Sequence, residues 1–298
     1  MMDDRVKGCV AAAAGAAAYG LNPLFSLPLY EAGFSPVNAL FYRFFLAAVI
    51  VGAMILWRGG SLRPDAGSIG ALCGAAVLMA GSSLTLYQAY KYMDSGIVST
   101  LIFIYPVAVG ATMTLFFKEK LTLYTVGGIV LALAGVAVLA KSDGGRPFDW
   151  RGLGLSLASG LFYSAFIVTV RVSKLRDVSS EKITFYTALL GALLFLPMSL
   201  CGASGLPLPR TPFTLGCTLL LALIPAVAAF VFTARGIHLI GATPTAVFGA
   251  LEPVVALLCG IVVFHERFTL SIAVGVLLVI LSVMLAIFSS STRAVSPR

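Results

Sequence analysis

Ten runs of predominantly apolar residues recur along the chain, each bounded by charge or by Gly/Pro clusters, near residues 8–29, 36–57, 67–90, 95–117, 122–140, 151–171, 182–201, 212–234, 242–264 and 269–289. Each is close to the ~20 residues that an α-helix needs to cross the hydrocarbon core of a bilayer. No interval between them is long enough for a soluble domain. The pattern therefore predicts an all-α polytopic membrane protein with ten transmembrane helices. The opening MMDDRVKG and the Ala-rich run after it resemble a signal peptide, but Asp3 and Asp4 occupy its would-be basic region and the apolar stretch continues to Leu29. The expectation is a retained first span.

Composition agrees with this. Counting Gly and leaving out Tyr, about 66% of the 298 residues are apolar and 11% are charged, against roughly 45–50% and 25% in soluble domains. A water-facing surface cannot be built from that, and an unfolded chain with so little charge would not stay solvated. Cys9, Cys73, Cys201, Cys217 and Cys259 show no C-x-x-C spacing and are expected as buried thiols, not a disulfide framework. With the N-terminus placed in the cytoplasm, the inner segments hold 13 Lys and Arg and the outer segments 6, leaving Arg43 inside a span. The positive-inside rule thus predicts that both termini are cytoplasmic. The same asymmetry accounts for the net charge of +8 without a nucleic-acid partner.

The two halves repeat each other. A shift of 144 matches Lys7 to Arg151, Gly8 to Gly152, Tyr19 to Tyr163, Ser35 to Ser179, Phe41 to Phe185 and Tyr42 to Tyr186. A shift of 147 matches Pro106 to Pro253, Glu119 to Glu266, Thr122 to Thr269 and Gly128 to Gly275. These pairs keep order and nearly constant register through a five-span unit, which predicts repeats over 1–145 and 146–298. An odd number of spans per unit makes the second unit enter the membrane upside down, the architecture by which many secondary transporters obtain two interconvertible faces around a midplane site.

The residues that complete this pattern are Arg43 in FYRFFLAA, Glu252-Pro253 inside LEPVVALLCGIVVFHERFTL with Glu266 closing that stretch, and the first-half echo IYPVAVGATMTLFFKEKLTL. In these the chain resembles the EamA family of the drug/metabolite transporter superfamily over nearly its whole length. Tyr19-Gly20-Leu21-Asn22 stands where the family pattern has Trp-Gly-x-Asn. Within the family the chain is similar to the YddG-like exporters of aromatic and other amino acids. The resemblance implies a central cavity lined by the first, third, fourth, sixth, eighth and ninth spans.

Arg43 and Glu252 are the two ionisable residues deep in the predicted spans. A charge there costs at least ~2.5–3.5 kcal/mol on insertion scales, so each needs a partner or a wet cavity. Glu252 shares an i, i+3, i+7 face with Thr245 and Phe248; its carboxylate is suited to a substrate ammonium or a proton, or to capping a broken helix. Arg43 is suited to a substrate carboxylate or to pairing with helix ends. Tyr19 and Asn22, with Ser26 a turn beyond, share a face of the first span, and Tyr163 mirrors Tyr19. Ser99 and Phe103 line one face of the fourth span near Tyr105, while Tyr87 and Gln88 end the third, where an interfacial anchor competes with a binding role. Pro23, Pro106, Pro225 and Pro253 lie well inside spans and interrupt their hydrogen bonding; Pro106 and Pro253, being repeat-equivalent, are the hinge candidates.

His238 and His265 fall on opposite sides of the membrane, so no metal site is expected. There is no GxxxxGK[ST] loop, no catalytic constellation and no cofactor signature. The expected function is secondary transport of small polar metabolites, in particular export of aromatic and other amino acids by alternating access. The partners are the substrate and the lipid bilayer, and the working unit is a monomer. A multidrug or lipophilic-cation exporter is the competing reading, because Glu252 among aromatics also describes a cation site. A channel, which would need a ring of like groups around a pore, is the alternative from another class.

Overall fold

The computed structural model describes residues 4–294 except 106, 110, 113–122, 141–148, 203–204, 241–244, 246–247 and 250. Among the described residues every regular element is helical. Six helices are long and apolar enough to cross a membrane unaided: Asp4–Glu31, Pro36–Trp57, Ile69–Ala89, Trp150–Val170, Ser180–Leu200 and Pro212–Gly236. Shorter apolar helices fill the fourth, fifth, ninth and tenth positions, so the observed order follows the ten predicted spans. Large apolar side chains such as Val49, Val77, Leu133, Leu161 and Val262 face outward, as expected of a surface solvated by lipid. Inside the bundle, hydroxyls are satisfied by their own helices: Thr100, Ser156, Thr187 and Thr218 each donate to a carbonyl one turn back.

Packing repeats the symmetry of the sequence. The first span packs on the eighth and the third on the sixth; the second pairs with the seventh, the fourth with the ninth and the fifth with the tenth. Exchanging each span for its repeat mate leaves this set of pairings unchanged. The repeat-related partners run antiparallel. Gly52 abuts Phe185 while Gly191 abuts Phe44, and Gly127 meets Leu285 while Gly135 meets Val279. Small residues allow these close approaches between helices. The proposed boundary between repeats, at 145/146, lies outside the described residues.

Pro23, Pro225 and Pro253 shape three of the spans, though not as mid-helix kinks. The first span breaks at Leu21 between Asp4–Gly20 and Asn22–Glu31, which places Pro23 in a first turn, where its missing N–H has no helical partner to lose. Pro253 likewise sits in the first turn of Leu251–Phe264, so the ninth span breaks ahead of it, at Gly249. In the eighth span Pro225 lies in a π-helical turn, Leu223–Ala228, whose extra residue accommodates the absent donor. The fourth span turns at Phe103–Ile104 and is helical again at Tyr105; Pro106 is outside the described residues. Not all thiols are buried: Cys73 and Cys201 are exposed and Cys9 half-buried, leaving Cys217 and Cys259 inside. A thiol is apolar enough to sit on a lipid-facing helix.

Two of the breaks meet. A methyl group on Gly20, at the end of the first helical piece, would lie 2.6 Å from the Glu252 carbonyl oxygen, so only glycine lets the first span approach the start of the ninth this closely. On the opposite side of the pseudo-symmetric bundle Gly160 abuts the Ile102 carbonyl, at the break in the fourth span.

Candidate functional site

The breaks surround a cavity of about 510 Å³ in the middle of the bundle, within the size range of small-molecule sites. Tyr19, Arg43, Tyr105, Tyr163, Thr187 and Glu252 give it its chemistry. They form three repeat-equivalent pairs: Tyr19 with Tyr163 and Arg43 with Thr187 at a shift of 144, and Tyr105 with Glu252 at 147. The scaffold is symmetric but its charges are not, because each charged residue faces a neutral mate. Carrying Arg43 and Glu252 through the repeat leads directly to Thr187 and Tyr105. The second and seventh spans also line the cavity, through Arg43, Phe44, Ala47, Ser180, Thr184 and Thr187, in addition to the six spans that the resemblance implied.

Aromatic rings form much of the wall. Tyr105 meets Tyr163 edge-on at 4.7 Å between centroids, and Tyr163 stacks on Phe166 at 6.0 Å. The Arg43 guanidinium carbon lies 5.9 Å from the Tyr19 centroid and 5.6 Å from that of Tyr87, which makes both rings cation–π partners. Its Nη1 donates to the Tyr87 hydroxyl at 3.2 Å. Glu252 opens the ninth-span helix with its carboxylate toward the cavity. Among the described residues that carboxylate makes no hydrogen bond, and no ion pair within 4.0 Å joins it to Arg43.

Several residues expected at the cavity stand behind its wall. Asn22 is buried, its amide spanning the first-span break by donating to the Tyr19 carbonyl at 2.9 Å, and Tyr87 is fully buried and donates to Asn22 Oδ1. Ser99 is buried against the Tyr90 hydroxyl, and Phe103 sits in the fourth-span turn, edge-on to Tyr105. Gln88 is half-buried on another face of the third span, away from the cavity. Phe248 is also off the lining: the break at Gly249 ends the continuous helical face on which Thr245, Phe248 and Glu252 were aligned, leaving only Thr245 and Glu252 at the cavity.

One end of the cavity reaches the surface and the other is sealed. The lining continues through Ala12, Val170 and Thr233 to exposed Ser180, at the end of the bundle where the chain begins. Toward the opposite end, Leu29, Tyr87 and Tyr90 are buried, the Tyr30 hydroxyl donates to the Tyr87 carbonyl at 3.1 Å, and the Tyr42 hydroxyl donates to the Pro207 carbonyl at 2.8 Å. At this sealed end Glu266, in the connection between ninth and tenth spans, caps the start of the fourth span. Its carboxylate accepts from Ser95 N, Ser95 Oγ and Gly96 N. Burial pushes the Glu266 carboxyl above its usual range, and the hydrogen bonds from Ser95 and Gly96 work against that shift.

Comparison with known proteins agrees with this architecture. Residues 6–141 and 150–288 match the model of the EamA-like transporter family. An uncharacterized transporter of Archaeoglobus fulgidus is 26% identical over 259 residues, spanning 84% of this chain and 87% of its own. The uncharacterized transporter YyaM of Bacillus subtilis is 25% identical over 272 residues, 88% of each chain. A solved crystal structure shares the fold with a TM-score of 0.68 at 19% identity, over 98% of this chain and 99% of that one. A polytopic helical bundle with a central cavity and transporter relatives is a membrane transporter and not an enzyme. Matched by one family model in both halves, the chain belongs to the EamA-like transporter family.

Proposed function

We propose that this transporter carries zwitterionic small molecules, in particular aromatic and other amino acids, outward across the bacterial inner membrane by alternating access, acting as a monomer. The observation that carries this reading is that Arg43 and Glu252 face one cavity of about 510 Å³ without pairing with each other. Two opposite charges held apart in a membrane interior suit a ligand that brings the complementary pair, a carboxylate for Arg43 and an ammonium for Glu252. Tyr19, Tyr105, Tyr163 and Phe166 offer the apolar surface that an aromatic side chain prefers. A cavity closed at one end favours a carrier over a channel, and a guanidinium in its wall works against a lipophilic cation.

Reconstituted protein should exchange radiolabelled phenylalanine in counterflow and leave tetraphenylphosphonium behind. Counterflow of the cation with none of a panel of amino acids would favour the multidrug reading. Orientation is part of the proposal, since the open end carries the Lys/Arg-rich segments and so faces the cytoplasm, where an exporter loads. Impermeant thiol labelling of intact cells should miss single cysteines in the 58–66 and 171–182 connections and reach one in 141–151. A labelled 171–182 connection would reverse the orientation.

A further inference from the structure

Between the cavity and the sealed end lies a relay of polar groups that the binding site alone does not require. The Arg43 guanidinium donates to the Tyr87 hydroxyl at 3.2 Å, and that hydroxyl donates to Asn22 Oδ1 at 3.1 Å. Asn22 Nδ2 holds the Tyr19 carbonyl at the break in the first span. The Tyr87 carbonyl accepts from the Tyr30 hydroxyl, whose ring lies edge-on at 6.4 Å. Tyr87, on the third span and 0% exposed, thus joins the second piece of the first span, through Asn22 and Tyr30, to Arg43 of the second span. Its phenol is the one group in the relay that touches both the cavity's cation and the seal.

We propose that Tyr87 is a positioning residue that couples occupation of Arg43 to opening of the sealed end. A carboxylate is a stronger acceptor for a guanidinium than a neutral phenol is. A substrate carboxylate on Arg43 therefore draws the guanidinium off Tyr87. Without its cationic donor the phenol becomes a weaker donor to Asn22, because hydrogen bonds in a chain polarise one another. The contact that holds the first span against the third then loosens, and the ligand favours the state with the sealed end open, as differential affinity for two states demands. Such coupling would let an amino acid, and not an amine of the same shape, trigger the transition. It rests on the amino-acid reading of the cavity.

Ser26 offers a reporter. It is 0% exposed one turn beyond Asn22, its hydroxyl has no hydrogen-bond partner among the described residues, and it is not part of the cavity wall. Ser26→Cys, in a full-length chain whose five native cysteines are replaced, should label slowly with a maleimide in detergent. Adding Tyr87→Phe keeps the ring but removes both hydroxyl bonds, and is expected to speed labelling about tenfold or more. Tyr30→Phe, which breaks the second contact, should act in the same direction. Phenylalanine should speed labelling of the Ser26→Cys protein, whereas phenethylamine, which lacks the carboxylate, should not; with Tyr87→Phe present the phenylalanine response should vanish. Unchanged labelling in both Phe variants, with unfolding temperatures near that of the parent, would overturn the relay. An undiminished phenylalanine response without the Tyr87 hydroxyl would overturn the coupling and leave the amino-acid site standing. Faster labelling of the variants with no phenylalanine response in any protein would instead refute the amino-acid reading, and the coupling with it.

Discussion

Replacing Glu252 by Gln is expected to lower amino-acid transport roughly ten- to a hundredfold while expression and thermal stability stay near those of the parent protein. The amide keeps the volume and most of the hydrogen-bonding capacity of the carboxylate but removes its charge and its titration. Glu252 is free to serve a ligand because, among the described residues, its carboxylate is engaged by no protein donor. One ammonium–carboxylate contact in a confined cavity is worth about 1.5–3 kcal/mol, which sets the size of the loss. Helix capping is served by the backbone here, since Glu252 N bonds the Gly249 carbonyl, so the substitution leaves the break intact. The measurement is counterflow of phenylalanine beside a thermal unfolding scan. Parent-like transport by a well-folded Gln variant would reduce Glu252 to a packing residue, and joint loss of folding and transport would give it a structural role.

Arg43→Gln should divide the substrates instead of lowering all of them. Transport of phenylalanine is expected to fall by a similar ten- to hundredfold, because its carboxylate loses a charged donor. Phenethylamine carries only the ammonium that Glu252 recognises, and should move at least as well as through the parent once the repelling guanidinium is gone. Glu252→Gln should fail on both compounds. This crossed pattern separates recognition from damage to the fold, which would depress both substrates in both variants. Arg43 also donates to Tyr87, so a general change in turnover is expected on top of it; the ratio of the two substrates is the decisive quantity. Equal losses for amine and amino acid in Arg43→Gln would remove Arg43 from the binding site.

Much of the bundle was legible in the chain. The span Pro36–Trp57 coincides with the run of apolar residues that predicted it, and Tyr19 and Tyr163, matched by the repeat, both line the cavity. The face Thr245–Phe248–Glu252 was misjudged because it presumed one continuous helix. The break at Gly249 is a backbone event that hydropathy does not register, and it leaves Phe248 off the cavity. Tyr87 was open to being an anchor at the membrane surface, since it ends an apolar run. It is instead fully buried because Tyr30, 57 residues earlier, folds against it.

By itself, then, the sequence determined where the chain crosses the membrane, that its halves repeat, and that two charges lie at depth. Each of these is a local property: a bilayer demands about 20 apolar residues per crossing and penalises every ionised group within it. Only the tertiary structure decided that Arg43 and Glu252, 209 positions apart, open onto one cavity without neutralising each other. It also decided that Asn22 and Tyr87 are buried behind the cavity wall, and that the end holding the N-terminus is the open one. Those outcomes depend on which helix packs against which, and on how far glycines such as Gly20 let backbones approach. Contacts between distant residues set them, and no window along the chain contains both partners.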